Sequence, residues 1–296
     1  MKHDLCLIVN PTAGAGRAAR LLPAVEAELR AMGLSFRVER TSSMDHAREL
    51  ARRAAEAGEI VAAMGGDGLT GAIAGELRDG AAVLAVLPGG RGNDFARKMG
   101  IAADPVAACA NIANGRERRI DLATVNGRSY LGILSAGLDS DANELANTTR
   151  LKLGTAVYAY AALRALAAWK PAHWTVTTDG ETCEFDGYSV AVANSGVYGS
   201  GMFLVPDAKL DDGMLDVVLC EEIPKRRYLA NLPKVFKGTH VNAPGLRFLQ
   251  GRDVTFAADR PFTAYADGDP IAELPATITV APGTLRVLAP TQSSRW

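Results

Sequence analysis

A chain of 296 residues, 48% hydrophobic and 22% charged, has room for two domains and enough apolar surface for a buried core, which excludes an intrinsically disordered chain. Lysine and arginine number 32 against 33 aspartates and glutamates, a net charge of −1, so no overall field draws the chain to nucleic acid and any basic contact is local. Four widely spaced cysteines, Cys6, Cys109, Cys183 and Cys220, include no C-x-x-C pair and read as free thiols in a reducing cytoplasm. Residues 5–9 are a continuous apolar run ended by Asn10-Pro11, which predicts a buried parallel strand with a loop after it. Leu21, Leu22, Val25, Leu29 and Met32 then recur at helical spacing until Gly33 ends the helix. Residues 36–40 predict a second strand. Ser43 can cap a helix that turns Ala47, Leu50, Ala51 and Ala54 inward and stops at Gly58. Residues 60–64 and 83–87 are two further apolar strands, each running into a glycine-rich loop. The pattern is that of a doubly wound, Rossmann-like α/β domain, and such sheets bind ligands at the carboxyl ends of their strands.

After Asp121 the texture changes. Residues 130–134, 174–178, 189–193, 215–219, 253–257 and 277–280 read as strands, with Asp179-Gly180 as a two-residue hairpin turn. Two helices interrupt them, roughly 155–168 and 224–237. The second starts at Pro224 and contains Pro233, which should kink or shorten it. The second half is therefore expected to be mostly antiparallel β. The start Met1-Lys2-His3-Asp4 has no basic n-region or cleavage site, so no signal peptide is expected. The apolar stretch 156–169 is too short to span a bilayer and carries Arg164.

Three loops follow three predicted strands: Asn10-Pro11-Thr12-Ala13-Gly14-Ala15-Gly16-Arg17, Gly65-Gly66-Asp67-Gly68, and Pro88-Gly89-Gly90-Arg91-Gly92-Asn93-Asp94-Phe95-Ala96-Arg97. Glycines let backbone amides ring a phosphate, and a helix that starts at once adds its positive end. One such loop can be a plain β–α turn, and Gly14-x-Gly16-x-x-Ala19 taken alone mimics a dinucleotide fingerprint with Glu39 as the ribose acid. Three on one sheet edge, two of them bearing an acid, imply a polyphosphate.

The ordered set N-P-x-x-G, G-G-D-G and G-N-D-F-A-R resembles the diacylglycerol kinase catalytic domain family, which includes bacterial lipid kinases and sphingosine kinases. The likeness continues in Ile120-Asp121-Leu122, in Ala193-Asn194-Ser195-Gly196, in the acidic segment from Pro206 to Asp216, and in Ala266-Asp267-Gly268-Asp269, so it covers essentially the whole chain. The resemblance implies an ATP-binding α/β domain over 1–121 plus 285–296 and an antiparallel β-sandwich lipid-acceptor domain over 122–284, with ATP and acceptor meeting between them. It implies Mg2+ as well, a membrane lipid as acceptor, a cytoplasmic enzyme with peripheral contact at the inner face of the membrane, and a homodimer like related bacterial enzymes.

Carried over position by position, the resemblance gives Asn10, Gly14, Arg17, Gly65, Gly66, Gly68, Gly89, Gly90, Arg91, Asn93 and Asp94 to the nucleotide, with Thr41 near the ribose. Asp67 would organise Mg-ATP or position the acceptor, and Asp94 would do likewise or cap its helix. Asp212 would ligate a structural Mg2+ by its side chain and Lys209 and Met214 by their carbonyls, supported by Asp121 through water. Asp267 and Asp269 match a D-G-E segment whose final acid is the general base. For Asp67, Asp212, Asp267 and Asp269 the alternative is a solvated turn.

The chain departs from the family pattern in three places: Asp269 stands for Glu, Arg91 for Thr, and Leu69-Thr70-Gly71-Ala72 for Thr-x-Asn-Glu. Three other readings therefore stay open: a kinase for a soluble acceptor such as NAD, a nucleotide- or lipid-binding protein with little turnover, and, on Gly14-x-Gly16 alone, a dinucleotide-dependent oxidoreductase. Lys225, Arg226, Arg227, Lys234 and Lys237 interleave with Leu229, Leu232, Val235 and Phe236, a pattern that suits either a helix lying on anionic lipid or a packed helix with a solvated basic face.

Overall fold

The computed structural model describes residues 4–148 and 156–291. Its first half alternates strand and helix: β1 (Leu5–Val9), α1 (Ala13–Ala31), β2 (Phe36–Arg40), α2 (Met44–Glu56), β3 (Ile60–Gly65), α3 (Asp67–Leu77) and β4 (Val83–Pro88). Three short helices follow: α4 (Asp94–Lys98), α5 (Pro105–Ala108) and α6 (Ala110–Asn114). The strands pair in parallel in the order β2-β1-β3-β4, with Leu5 opposite both Phe36 and Ile60. All five residues of β1 are buried, because α1 with α5 and α2 with α3 form two helical layers against the sheet. The Ser43 hydroxyl accepts the His46 amide at 3.1 Å and caps α2 as its sequence predicts, and Gly33 and Gly58 close their helices with positive φ.

The second half holds β5 (Arg116–Val125), β6 (Arg128–Tyr130), β7 (Ile133–Gly137), α7 (Leu138–Thr148), α8 (Ala156–Ala168), β8 (Ala172–Thr178), β9 (Glu181–Ala193), β10 (Val197–Tyr198), β11 (Met202–Phe203), β12 (Leu215–Glu221), α9 (Lys225–Val235), β13 (Leu246–Gly251), β14 (Asp253–Ala258), β15 (Thr263–Ala266), β16 (Asp269–Glu273) and β17 (Ala276–Ala289). Its pairings are antiparallel, and Asp179 and Gly180 turn between β8 and β9 with φ of 48° and 90°.

Strands β5, β10, β11, β13, β15 and β16 are not expected from the sequence, and three further details differ from that expectation. The single strand expected over 130–134 is broken at Leu131-Gly132, whose amides turn to the Asp267 carboxylate. Helix α7 is additional. Its Asp139, Ser140, Asp141 and Asn143 are weak helix formers that hid it, and the buried Ser140 hydroxyl both donates to the Gly137 carbonyl and accepts the Gly137 amide at its start. The expected strand 277–280 does not end there: it continues as one strand, β17, to Ala289, with a register shift between Ala281 and Leu285.

Strands β17 and β5 run side by side through both halves, and the parallel contact of β17 with β4 at Arg286 and Val287 fuses the two sheets. Leu285, Val287, Leu288 and Ala289 bury with the β1–β4 core, whereas Ala276 and Ile278 of the same strand bury with Trp174, Phe256 and Val190 in the second core. The four cysteines are free; Cys6 and Cys109 are buried and Cys183 and Cys220 half-buried. Among the described residues no helix is long and apolar enough to cross a membrane.

Candidate active site

The three glycine loops leave β1, β3 and β4 at one edge of the sheet and close on one another. Gly14, Ala15 and Gly16 are all left-handed, with φ of 59°, 56° and 81°, so α1 winds regularly only from Arg17 and the loop keeps its own turn. The amides of Gly89 and Gly90 both donate to the Gly65 carbonyl, at 2.7 and 2.9 Å, and the Asn10 amide donates to Met64 at 3.0 Å. A Cβ at Gly14 would stand 2.5 Å from the Gly89 oxygen, and one at Gly90 would stand 2.5 Å from the Gly66 Cα. Glycine is required there for the loops to meet at all.

The side chains predicted with these glycines divide into two groups. Asn10 accepts the Thr12 amide and hydroxyl at 3.1 and 2.8 Å, which fixes the entry of the first loop. Asn93, itself left-handed, accepts the Gly90 amide at 2.9 Å and donates to its carbonyl at 3.1 Å, so it braces the third loop from within. Arg17 donates to the carbonyls of Pro88 and Ala103, tying the first loop to the end of β4. Thr41 follows β2 with its amide bonded to Val9, beside the first loop. Arg91 is exposed on the rim of the third loop. Gly66 and Gly68 flank Asp67 at the start of α3.

Four carboxylates meet beside this cradle. Asp67 accepts the Phe95 amide at 3.0 Å and so caps α4, the helix that Asp94 was expected to cap. Asp94 instead reaches the β-rich half, where its Oδ2 accepts the Ser200 amide at 2.8 Å, while its buried Oδ1 has no hydrogen-bond partner and lies 3.8 Å from the Arg97 guanidinium. Asp67 and Asp94 face each other over Gly92, whose added Cβ would lie 3.3 and 3.2 Å from their Oδ2 atoms. Asp267, at the left-handed turn between β15 and β16, accepts the amides of Leu131 and Gly132 at 3.1 and 2.9 Å. Asp269 is exposed at the turn but its carboxylate packs inward, its Oδ2 lying against Gly68 where no Cβ would fit, and it accepts no hydrogen bond from the described residues. The two acids of the β-rich half thus face the second glycine loop. Gly71, where the family pattern has Asn, leaves space beside the Asp267 carboxylate; a Cβ there would lie 3.3 Å from its Oδ2.

Burial raises all four carboxyls above their ordinary range. Asp267 is pushed up to about 7 by burial first and then by the charge of Asp67, while its two amide donors pull it back. The amides around Asp67 likewise oppose its burial, and the Arg128 charge lowers Asp269. Clustered acids held above their usual range by burial, with the charge of Asp67 adding to the rise at Asp94 and Asp267, are suited to proton transfer or to a cation.

The acidic segment lies apart from this cluster. Asp121 spends both carboxylate oxygens on the amides of Gly213 and Gly283, at 2.6 and 2.7 Å, and locks the segment against β17. Asp212 is exposed and accepts the Met214 amide at 3.0 Å with one oxygen, leaving the other open. Burial first, then the charges of Asp212 and Asp211, raise the Asp121 carboxyl, a field that a divalent ion would relieve. No group of three or more His, Cys, Asp or Glu side chains converges as a metal site among the described residues, so an ion here would rest on Asp212 and on carbonyls such as those of Lys209 and Met214. The Lys98 ammonium from α4 donates to the Ala208 carbonyl and feels Asp216 and Asp207, linking the third glycine loop to this segment.

Under α9 lies an apolar cavity, lined among others by Tyr198, Leu204, Val218, Tyr228, Leu232 and Val235, with the carboxylate of Asp139 at its wall. Burial pushes Asp139 up to about 6 against its hydrogen bonds from Ser189 and Tyr198. The hairpin β10–β11 joins cavity to acids: Tyr198 and Met202 line the one, and Ser200 binds Asp94 in the other. The sequence reading missed Asp139 and the amides of Leu131, Gly132 and Ser200. A backbone donor has no residue signature, and Asp139 sits in the helix that the sequence concealed.

Comparison with known proteins matches both halves of the chain. The family model described as "Diacylglycerol kinase catalytic domain" matches residues 4–125, and that described as "YegS C-terminal NAD kinase beta sandwich-like domain" matches residues 132–289. The chain is 30% identical over 291 residues to the "Diacylglycerol kinase" of Mycobacterium tuberculosis (strain ATCC 25618 / H37Rv), covering 96% of this chain and 94% of that one. It is 32% identical over 278 residues to "Probable lipid kinase YegS-like" of Pseudomonas fluorescens, covering 91% and 90%. A crystal structure of a diacylglycerol kinase from Bacillus anthracis shares the fold with a TM-score of 0.77 over 98% of both chains, at 21% identity. With a glycine-loop domain and a β-sandwich each matched in order and nearly end to end, the chain belongs to the diacylglycerol kinase family.

Proposed function

We propose that the chain transfers the γ-phosphoryl group of ATP to the hydroxyl of a lipid, either a diacylglycerol-like molecule or a long-chain alcohol. One observation carries the reading: three glycine turns converge at one sheet edge, and the acids of the Asp267–Asp269 turn face the second of them. Phosphoryl transfer needs neutralised phosphates, an aligned acceptor oxygen and a base for its proton. The loop amides and the first turns of α1, α3 and α4 would hold the triphosphate, with Arg91 adding a cation at the rim. Asp67 and Asp94, whose carboxylates face each other over Gly92, would hold a Mg2+ ion, which when bound would neutralise phosphate charge. Asp267 is committed to two amides and positions the turn, whereas Asp269 is open and would take the acceptor proton as its oxygen attacks the γ-phosphorus and ADP leaves. A second Mg2+ fits Asp212 with the carbonyls of Lys209 and Met214, in a structural role.

The cavity, about 60 Å³ in volume, offers apolar side chains to the end of an acyl chain, which a soluble acceptor such as NAD would leave unused. The test is transfer of radiolabel from ATP onto a lipid extract. Labelled lipid is expected from the wild type, with a fall of about 10²–10⁴-fold in Asp269→Asn, the range for loss of a general base, and a comparable fall in Asp67→Ala. ATP binding with no labelled product would favour a nucleotide-binding protein without turnover, a reading that the three family departures at Asp269, Arg91 and Gly71 keep in view.

A further inference from the structure

We infer that the outer face of α9 is a docking surface for an anionic lipid bilayer. Between Lys225 and Lys237 the chain carries five cations and no carboxylate, although its net charge is −1. The helix has two different faces. Tyr228, Leu232 and Val235 point inward and roof the apolar cavity. Arg226, Arg227 and Lys237 are exposed and form no ion pair among the described residues. Beside them stand Leu229 and Phe236, 38% and 52% exposed, large apolar side chains that a folded protein ordinarily covers. Lys225 ties the helix to α8 by donating to the Ala167 carbonyl at 2.8 Å, while Lys234 is engaged within the helix by Asn231 at 3.1 Å.

Cations interleaved with exposed Leu and Phe complement anionic headgroups over an acyl layer, because the charges meet the surface while the apolar side chains enter it. A second copy of this chain is the wrong partner for the same face. A symmetric contact would set this run of cations against an identical one. Docking in this orientation puts the roof of the cavity on the bilayer itself. The surface stands independently of turnover; only the step from bilayer to cavity rests on the lipid-acceptor reading.

The test uses the full chain with vesicles of phosphatidylcholine alone and with phosphatidylglycerol added, read by co-sedimentation. Binding is expected only to the anionic vesicles and is expected to weaken with salt. The triple substitution Arg226→Ser, Arg227→Ser, Lys237→Ser should lower the affinity about a hundredfold, at roughly fivefold per cation. Phe236→Ser should weaken binding roughly tenfold with its salt dependence unchanged. These positions are exposed, so circular dichroism and nucleotide binding should match the wild type. Equal binding to neutral and anionic vesicles overturns the inference, as does undiminished binding by the triple variant. So does self-association in sedimentation velocity that the triple variant abolishes, since the face would then join two copies.

Discussion

Asp267 carries more of the site's electrostatics than any other residue. Two backbone amides favour its charge while burial and the charges of Asp67 and Asp94 oppose it, and the outcome is a carboxyl pushed from 3.8 to about 7. The native state therefore holds a proton that the unfolded chain has already released in that interval, so the contribution of Asp267 to stability is full below about 4 and is lost as pH rises towards 7. In Asp267→Asn this loss disappears, against a constant cost of about 1–3 kcal/mol for a buried amide left unpaired. Urea melts of both proteins from pH 4 to 8 should show the variant gaining on the wild type as pH rises; a difference that stays flat would remove Asp267 as the titrating group. The glycines of the three loops were legible in the sequence because their backbone need is local. The partner of each aspartate was not. Asp67 caps a helix that begins 27 residues later in the chain, and the Asp94 carboxylate is drawn away to Ser200.

At the scale of elements, the Asp94–Ser200 bond connects α4 of the nucleotide half to the β10–β11 hairpin that also walls the apolar cavity. Asp94→Ala removes that acceptor and also relieves repulsion from Asp67, so the net loss should be about 1–2 kcal/mol, below the ~1.5–3 kcal/mol typical of a charged hydrogen bond. Amide hydrogen exchange should accelerate at Ser200 and Gly201 well before the strands of either core, and unchanged protection there would show that the hairpin does not depend on Asp94. Helices and strands with strong periodicity, such as α2 and β1, follow from the residues alone. Helix α7 and the gap between β6 and β7 do not, because their cause is a partner distant in sequence: Leu131 and Gly132 leave the ladder to bind a carboxylate 135 residues away.

For the whole molecule, β17 decides whether the first half can stand alone. Leu285, Val287 and Leu288 bury in the β1–β4 core, and without them the edge of β4 loses its partner. At about 1.5–3 kcal/mol per buried aliphatic side chain, the loss is on the order of 5 kcal/mol or more, comparable with the whole stability of a small domain. Residues 4–125 expressed alone are expected to be unfolded or aggregated, and the same fragment joined to residues 276–289 to recover cooperative melting. A well-folded 4–125 fragment would show that the shared strand is dispensable.

What the residues alone determined is the class of each half and the identity of the phosphate-facing loops. Period, turn chemistry and glycine placement act over a few positions, and one chain displays them fully. What only the tertiary structure decided is how four aspartates share one site, which of them remains open, and where the apolar cavity lies. Those depend on burial and on donors brought together from distant strands, so their energies exist only once the chain has closed on itself.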